Sequence, residues 1–354
     1  MATTTIAALN IYPIKSCRGV SLQSAVLTEA GLALDRQWMV VREESGRFLT
    51  QREKGILALV EVSLPLEALH AAQWGTERLP PDAALTLTAP GAPGPLKVPL
   101  RRRPDSEIRK VTVWEWTGAG ADEGPDAAAW FSALLGLPCR LVRYLGSGSG
   151  GEKGPLPVVR TTEPEYAVNY ETRFSDGYPM LLVTQSALSD LNAKLPAPLP
   201  MNRFRPNIEV AGADPWAEDG WRDMEVSPSA GGAGIKLTAV KPCSRCKTTT
   251  IDQATGQATH LQDHHHRPGH GPGHAHACKT TTIDQATGQA GDEPLDTLHT
   301  FRTGKALGWA ETEKSWTHAV FFGWNVVSRT PGVLSVGDRL TVRAPQGKAL
   351  VPAP

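Results

Sequence analysis

Short runs of β-branched and apolar residues, each stopped by a polar or glycine-containing turn, recur along most of the chain and leave little room for long helices. Residues 4–14 form one such run, Lys15-Ser16-Cys17-Arg18-Gly19 turns the chain, and residues 20–27 return it. Residues 35–41 are again strand-like, Glu44-Ser45-Gly46 reads as a hairpin turn, and residues 48–51 come back. Residues 85–87, 96–98 and 111–116 continue the pattern, so the first part of the chain is mostly β. The clearest helix is Pro125–Leu135, with Asp122 or Asp126 as its cap, Ala129, Trp130 and Leu134 at helical spacing, and Gly136 as its stop.

A strand at 141–144 is followed by the Gly/Ser-rich stretch 146–154, the best linker in the chain, which predicts domains at 1–145 and 155–345. In the second, 179–183 is apolar, 186–195 has helical spacing with Ser186 as a cap, and 203–208 leads into a strand. Residues 235–240 form the strand that enters the cysteine-bearing segment, and 320–327 and 333–342 close the domain around a Thr330-Pro331-Gly332 turn. The fold class is therefore α+β and strand-rich, with two or three helices.

The 354 residues, 40% of them hydrophobic, suffice for two globular cores. Lys plus Arg and Asp plus Glu are 36 each, so net charge directs the chain toward neither nucleic acid nor an acidic membrane. Five thinly spread cysteines are unlike a disulfide framework and point to free thiols in a reducing compartment. No signal or transit pattern precedes the first strand, and no run approaches the roughly 18–20 apolar residues of a membrane span. The expected address is the cytosol, with no membrane anchor in this chain.

Cys246 to Ala258 recurs unchanged at Cys278 to Ala290, and between the copies lies a tract rich in His, Gly and Pro (259–277). That tract has no apolar period and cannot bury enough surface to offset its ordering entropy, so a disordered surface insertion is expected. Perfect identity of its flanks points to a segment duplication, or to a splicing or gene-model error, rather than to a two-repeat fold.

Lys241-Pro242-Cys243-Ser244-Arg245-Cys246 holds the one closely spaced cysteine pair. Alone, it reads as half of a zinc site or as a redox dithiol. Zinc needs two more ligands, and His264, His265, His266 and Cys278 offer them only from a glycine-rich tract, a poor rigid cage. A thioredoxin-type dithiol opens a helix, whereas Thr248-Thr249-Thr250-Ile251 favours a strand. In a third reading, Lys15, Arg36 and Arg205 at strand ends, with Ser16, Asn207 and Ser244 beside them and one thiolate, suit an anionic cofactor carrying a soft metal. Taken singly, each basic residue also fits plain surface solvation.

Four motifs bear on these readings. Ile11-Tyr12-Pro13-Ile14-Lys15-Ser16-Cys17-Arg18-Gly19, Gly31-Leu32-Ala33-Leu34-Asp35-Arg36-Gln37-Trp38-Met39-Val40, Phe204-Arg205-Pro206-Asn207-Ile208 and Cys243-Ser244-Arg245-Cys246 resemble, in order, the amidoxime-reducing component family. These are molybdenum-cofactor enzymes with an N-terminal β-barrel domain and a molybdenum-cofactor-sulfurase C-terminal (MOSC) β-barrel-like domain. The resemblance covers nearly the whole chain outside 259–290.

It implies that Cys246 is the protein ligand of molybdenum, and that Lys15, Ser16, Arg36, Arg205, Asn207, Ser244 and Arg245 hold the pterin and its phosphate. Asp176 would stand beside the metal as a catalytic group, Gly177 would give the cofactor a backbone contact, and Asn325 falls where relatives can carry a tyrosine near it. Cys17 and Cys243 match positions that are not ligands, and Cys139 reads as a buried apolar residue. The implied activity is reduction of N-hydroxylated compounds (amidoximes, hydroxylamines), with reduction of nitrite to nitric oxide as an additional activity. The implied electron donors are cytochrome b5 with its NADH-dependent cytochrome b5 reductase, or a nitrate reductase. Two alternatives from other classes are a cofactor or sulfur carrier without N-reductase turnover and a metal-binding regulator using the histidine tract.

Overall fold

The computed structural model describes residues 3–65, 68, 79–149, 155–229, 231–257 and 293–345. The histidine tract and the second copy, with Cys278 and the proposed zinc ligands, lie outside the described residues, as does 150–154 of the expected linker.

Seven strands close a barrel: β1 (Thr5–Ile11), β2 (Met180–Thr184), β3 (Ile208–Ala211), β4 (Trp221–Ser227), β5 (Ile235–Ser244), β6 (Phe321–Val327) and β7 (Arg339–Pro345). The order around it is β1-β3-β2-β6-β5-β4-β7, and Thr5 pairs with Arg339 to bring β7 back to β1. Closure removes the free edges that an open sheet would expose. All pairs are antiparallel except β2 with β3, and that parallel pair needs the crossover that contains helix α2 (Gln185–Asn192). The first strand of the chain is thus a stave of a barrel otherwise built from its second half. Ile6, Leu9 and Ile11 face the core because a bulge between Ile6 and Ala8 shifts the alternation by one residue.

A four-stranded sheet (Ile108–Val113, Trp116–Asp122, Cys139–Tyr144, Trp38–Arg42), a three-stranded one (Glu61–Ser63, Ala84–Thr88, Leu96–Pro99) and helix α1 (Pro125–Leu135) make up the N-terminal part. The third helix is α3 (Leu295–Phe301). Among the described residues no helix is long and apolar enough to cross a membrane.

Several local expectations need correction. The run at 111–116 is not one strand: Trp114, at φ 52°, turns the chain between two. Neither Asp122 nor Asp126 caps α1; Gly124 occupies that position, and Asp122 Oδ1 accepts from the Gly124 N–H at 2.6 Å instead. Gly136 does end the helix, in the left-handed conformation. Thr184, not Ser186, caps α2 by accepting from the Ala187 N–H at 3.2 Å. Residues 333–342 are two strands, Gly332–Ser335 and the start of β7.

Candidate functional site

The chain leaves β1 through Tyr12-Pro13-Ile14 and enters a tight turn at Lys15-Ser16. Asp35, 2% exposed, sets this geometry: its Oδ1 accepts from the Tyr12 N–H at 2.7 Å, and both its oxygens take Arg36 Nη1, at 2.8 and 2.7 Å. Arg36 Nη1 also donates to Asn207 Oδ1 at 3.1 Å. The Asn207 amide in turn donates to the Asn10 carbonyl and accepts from the Leu181 N–H, so one side chain ties β1 and the start of β3 to β2.

Arg205 lies on the same ring as Arg36. The two guanidinium carbons stand 4.2 and 4.3 Å from the Tyr12 ring centroid, a cation–π arrangement that lets like charges share a site. Arg205 is otherwise held by neutral groups, the Cys17 carbonyl at 2.8 Å and Gln253 Oε1 at 3.3 Å. Burial, and then the charge of Arg36, lowers its pKa to about 10, while burial pushes Tyr12 up to about 12. Gln253 and Gln51 bond to each other through both amides, and Gln51 also donates to the Ser16 carbonyl at 2.7 Å.

The cysteine segment arrives from β5. Register shifts against β6 at Ala239/Lys241 and Pro242/Ser244 re-aim the last residues of that strand, as bulges beside sites do. Arg245 donates to Cys243 Sγ at 2.9 Å and to the Phe204 carbonyl at 2.8 Å, and its Nε is buried without a partner among the described residues. Burial raises the Cys243 pKa against the pull of Arg245. Cys246 is exposed, two residues past the strand, with Sγ 3.4 Å from Thr248 Oγ1. The threonines after it form a short 3-10 helix, Lys247–Thr250, not a strand. Thr249 and Thr250 hydroxyls donate to the carbonyls of Cys246 and Lys247, which outweighs their β preference.

These pieces enclose one cavity of about 330 Å³, and every candidate site residue lines it: Lys15, Ser16, Arg36, Asp176, Gly177, Arg205, Asn207, Ser244, Arg245, Cys246 and Asn325. Asn325 reaches it from β6, opposite Leu181 of β2 and Lys241 of β5. Cys17 and Cys139 are fully buried elsewhere, and burial raises both thiol pKa values, to about 12 for Cys17. Ser16, Arg36, Trp114 and Arg205, all cavity residues, have φ between 47° and 68°, the left-handed region that non-glycine residues enter at a cost. Such backbone gathers where a scaffold over-determines a site.

Asp176 stands at the mouth, its side chain 73% accessible although protein groups surround its walls. Its Oδ1 accepts from Lys15 Nζ at 2.5 Å and Trp114 Nε1 at 3.2 Å. Partial desolvation opposes ionisation, but Lys15, Trp114 and Arg36 prevail and hold its carboxyl well below the usual range. Burial lowers the Lys15 pKa and Asp176 pulls it back. Water in the open cavity screens this pair, so it orients the two groups more than it stabilises the fold.

Sequence reasoning missed the supports. Arg160, 7% exposed, donates to the carbonyls of Arg173 at 3.0 Å, Ser175 at 2.6 Å and Asp176 at 2.6 Å, which fixes the loop that presents Asp176. Tyr12, Asp35, Lys241 and Gln253 lay within stretches already singled out, though not as supports; Arg160, Gln51 and Glu163 carry no local signal.

The cavity wall carries six cationic side chains (Lys15, Arg36, Arg52, Arg205, Lys241, Arg245) against three carboxylates (Glu115, Glu163, Asp176). Excess positive charge, an unpartnered guanidinium N–H and an accessible thiol form a donor set for an anionic ligand that bears a thiophilic metal. Among the described residues no group of three or more His, Cys, Asp and Glu could hold a bare metal ion.

Residues 3–138 match the family model of the MOSC N-terminal beta barrel domain, and 169–273 that of the MOSC domain. Mitochondrial amidoxime-reducing component 1 of Mus musculus is 33% identical over 94% of this chain and 81% of its own. Mitochondrial amidoxime reducing component 2 of Rattus norvegicus is 31% identical over 71% of this chain and 68% of its own. A molybdenum cofactor sulfurase of Oryza sativa subsp. japonica is 27% identical over 70% of this chain and 28% of its own. The chain belongs to the amidoxime-reducing component family of MOSC-domain proteins.

Proposed function

We propose that this chain binds the molybdenum cofactor, molybdenum held by molybdopterin, and reduces N-hydroxylated compounds such as amidoximes and hydroxylamines by two electrons, and also nitrite to nitric oxide by one. The observation that carries this reading is the meeting of the Cys246 thiol with the Lys15, Arg36, Arg205 and Arg245 cradle in one cavity. The residues fit the group: a thiol for a soft metal, and cations with one unpartnered guanidinium N–H for a phosphate. Family membership supports an oxidoreductase associated with this cofactor.

Cys246 would hold the metal. Arg36, Arg205, Lys15 and Arg245 would hold the phosphate, and Ser16, Ser244, Asn207 and the Gly177 backbone would position the pterin. When bound, the group supplies two-electron removal of oxygen from an N–O bond. For an amidoxime the balance is two electrons and two protons in, amidine and water out. Asp176 is ionised at neutral pH, so it orients donors rather than releasing a proton. The proton comes from the Lys15 ammonium at 2.5 Å from it or from cavity water. We assign the electrons to a cytochrome b5 fed by its NADH-dependent reductase, or to a nitrate reductase, and the protein to the cytosol.

The test is metal and pterin analysis of wild type and Cys246→Ser from a cofactor-competent host, with benzamidoxime turnover by a reconstituted cytochrome b5 chain. Wild type should carry molybdenum and turn over; the variant should lose both. Wild type without molybdenum or pterin refutes the reading. Loaded protein without turnover makes the chain a cofactor carrier instead.

A further inference from the structure

Three side chains of the cavity wall, Asp176, Glu163 and Tyr178, keep hydrogen-bonding capacity that no described protein group uses. Asp176 Oδ1 takes both bonds made to that side chain, from Lys15 and Trp114, and Oδ2 accepts none among the described residues. Glu163 repeats the pattern: Oε2 accepts from Lys241 Nζ at 2.5 Å, and Oε1 accepts none among the described residues. That Oε1 lies 3.6 Å from the place a Cβ on Gly177 would occupy, next along the chain from Asp176. Tyr178, 6% exposed, lines the same cavity, and its hydroxyl has no partner among the described residues.

The arrangement is fixed from behind. Lys241 Nζ sits 4.4 Å from the Tyr166 ring centroid and 5.9 Å from that of Tyr178, so the cation that holds Glu163 is itself packed on aromatic rings. An ionised carboxylate only accepts hydrogen bonds. The Asp176 and Glu163 side chains are 73% and 46% accessible, so their open oxygens face the cavity and can accept N–H donors from a ligand that displaces water. The buried Tyr178 hydroxyl can donate to or accept from that ligand.

The compounds of the proposed reaction differ in this property. An amidoxime or N-hydroxyguanidine carries an amino group on the carbon beside the N–O nitrogen, and its two N–H bonds meet acceptors there. Nitrite brings no N–H and adds negative charge to a wall that already has two carboxylates; an aldoxime has hydrogen where the amino group would be. Resting on the function proposed above, we propose that Glu163, with Tyr178 behind it, determines specificity by selecting N-hydroxylated substrates that bear this amino group. An N–H that reaches the Glu163 carboxylate makes a charge-assisted hydrogen bond that an analogue without it cannot make, and such an analogue also offers less to the buried Tyr178 hydroxyl.

Benzamidoxime and benzaldoxime differ by that one amino group. In the cofactor-loaded full chain, wild type should favour benzamidoxime in kcat/KM, and Glu163→Gln should shrink the preference about tenfold or more. Tyr178→Phe should shrink it a few-fold. Calorimetric titration with benzamidine, which has the amino group but no N–O bond, requires no turnover and should show about tenfold weaker binding to Glu163→Gln. Unchanged preference together with unchanged benzamidine affinity in both variants overturns the proposal. If wild type turns over neither oxime, the reductase reading fails, and the benzamidine titration still decides whether this wall reads N–H groups.

Discussion

Glu218 offers a test of the electrostatics that is independent of any cofactor. It is 1% exposed, at the turn before β4, and its Oε2 accepts from the Thr184 hydroxyl at 2.8 Å while Oε1 has no partner among the described residues. Burial pushes its pKa up from 4.5 to about 7; the Thr184 bond and Arg302 pull it down, and neighbouring Asp219 adds to the rise. The folded pKa is raised, so the folded state keeps the proton over a range where the unfolded chain has lost it, and stability falls as pH rises from about 4.5 to about 7. At ~1.4 kcal/mol per pH unit the loss is ~3 kcal/mol, complete above pH 7. Glu218→Gln stays neutral throughout and leaves the Oε1 position as poorly paired as the protonated acid does. The variant should therefore match wild type in chemical denaturation near pH 4, below both pKa values, and exceed it by ~3 kcal/mol at pH 8. Stability curves that run parallel from pH 4 to 8 would show that Glu218 is not desolvated as described.

Other outcomes follow from single contacts. Cys278→Ser should retain molybdenum and activity, since Cys246 is the exposed one of the two thiols that line the cavity and the proposed ligand; loss of metal by that variant in elemental analysis would move the ligand to the second copy. Arg160→Ala frees three carbonyls of the loop that presents Asp176 and should cut kcat with little change in molybdenum content, whereas Arg160→Lys should recover part of it; equal loss of metal and rate would mean the loop supports the whole cavity instead. Leu9→Ala, in the barrel interior, should cost about 2–5 kcal/mol in denaturant unfolding at any pH, against little effect from Val342→Ala on the exposed face of β7.

What the chain disclosed about itself depended on how local each signal was. Strand runs and the Gly136 stop were readable because they rest on a residue and its near neighbours. The bulge at Ile6/Ala8 was not, because it exists only against β3, and the helical turn after Cys246 depends on threonine hydroxyls folding back onto their own backbone. In the site the same division has an electrostatic cause. Arg36 is neutralised by Asp35, its neighbour in sequence, and that pair sits within one motif. Arg205 and Arg245 are held by carbonyls, an amide oxygen and a thiol from distant segments, and no sequence pattern marks such partners. Neutral holders fix a guanidinium without cancelling its charge. The scaffold therefore fixes Arg205 in left-handed backbone, and Arg205 and Arg245 both keep an uncancelled charge for the anion of the proposed function to meet, held by partners as far apart in sequence as Cys17 and Arg205.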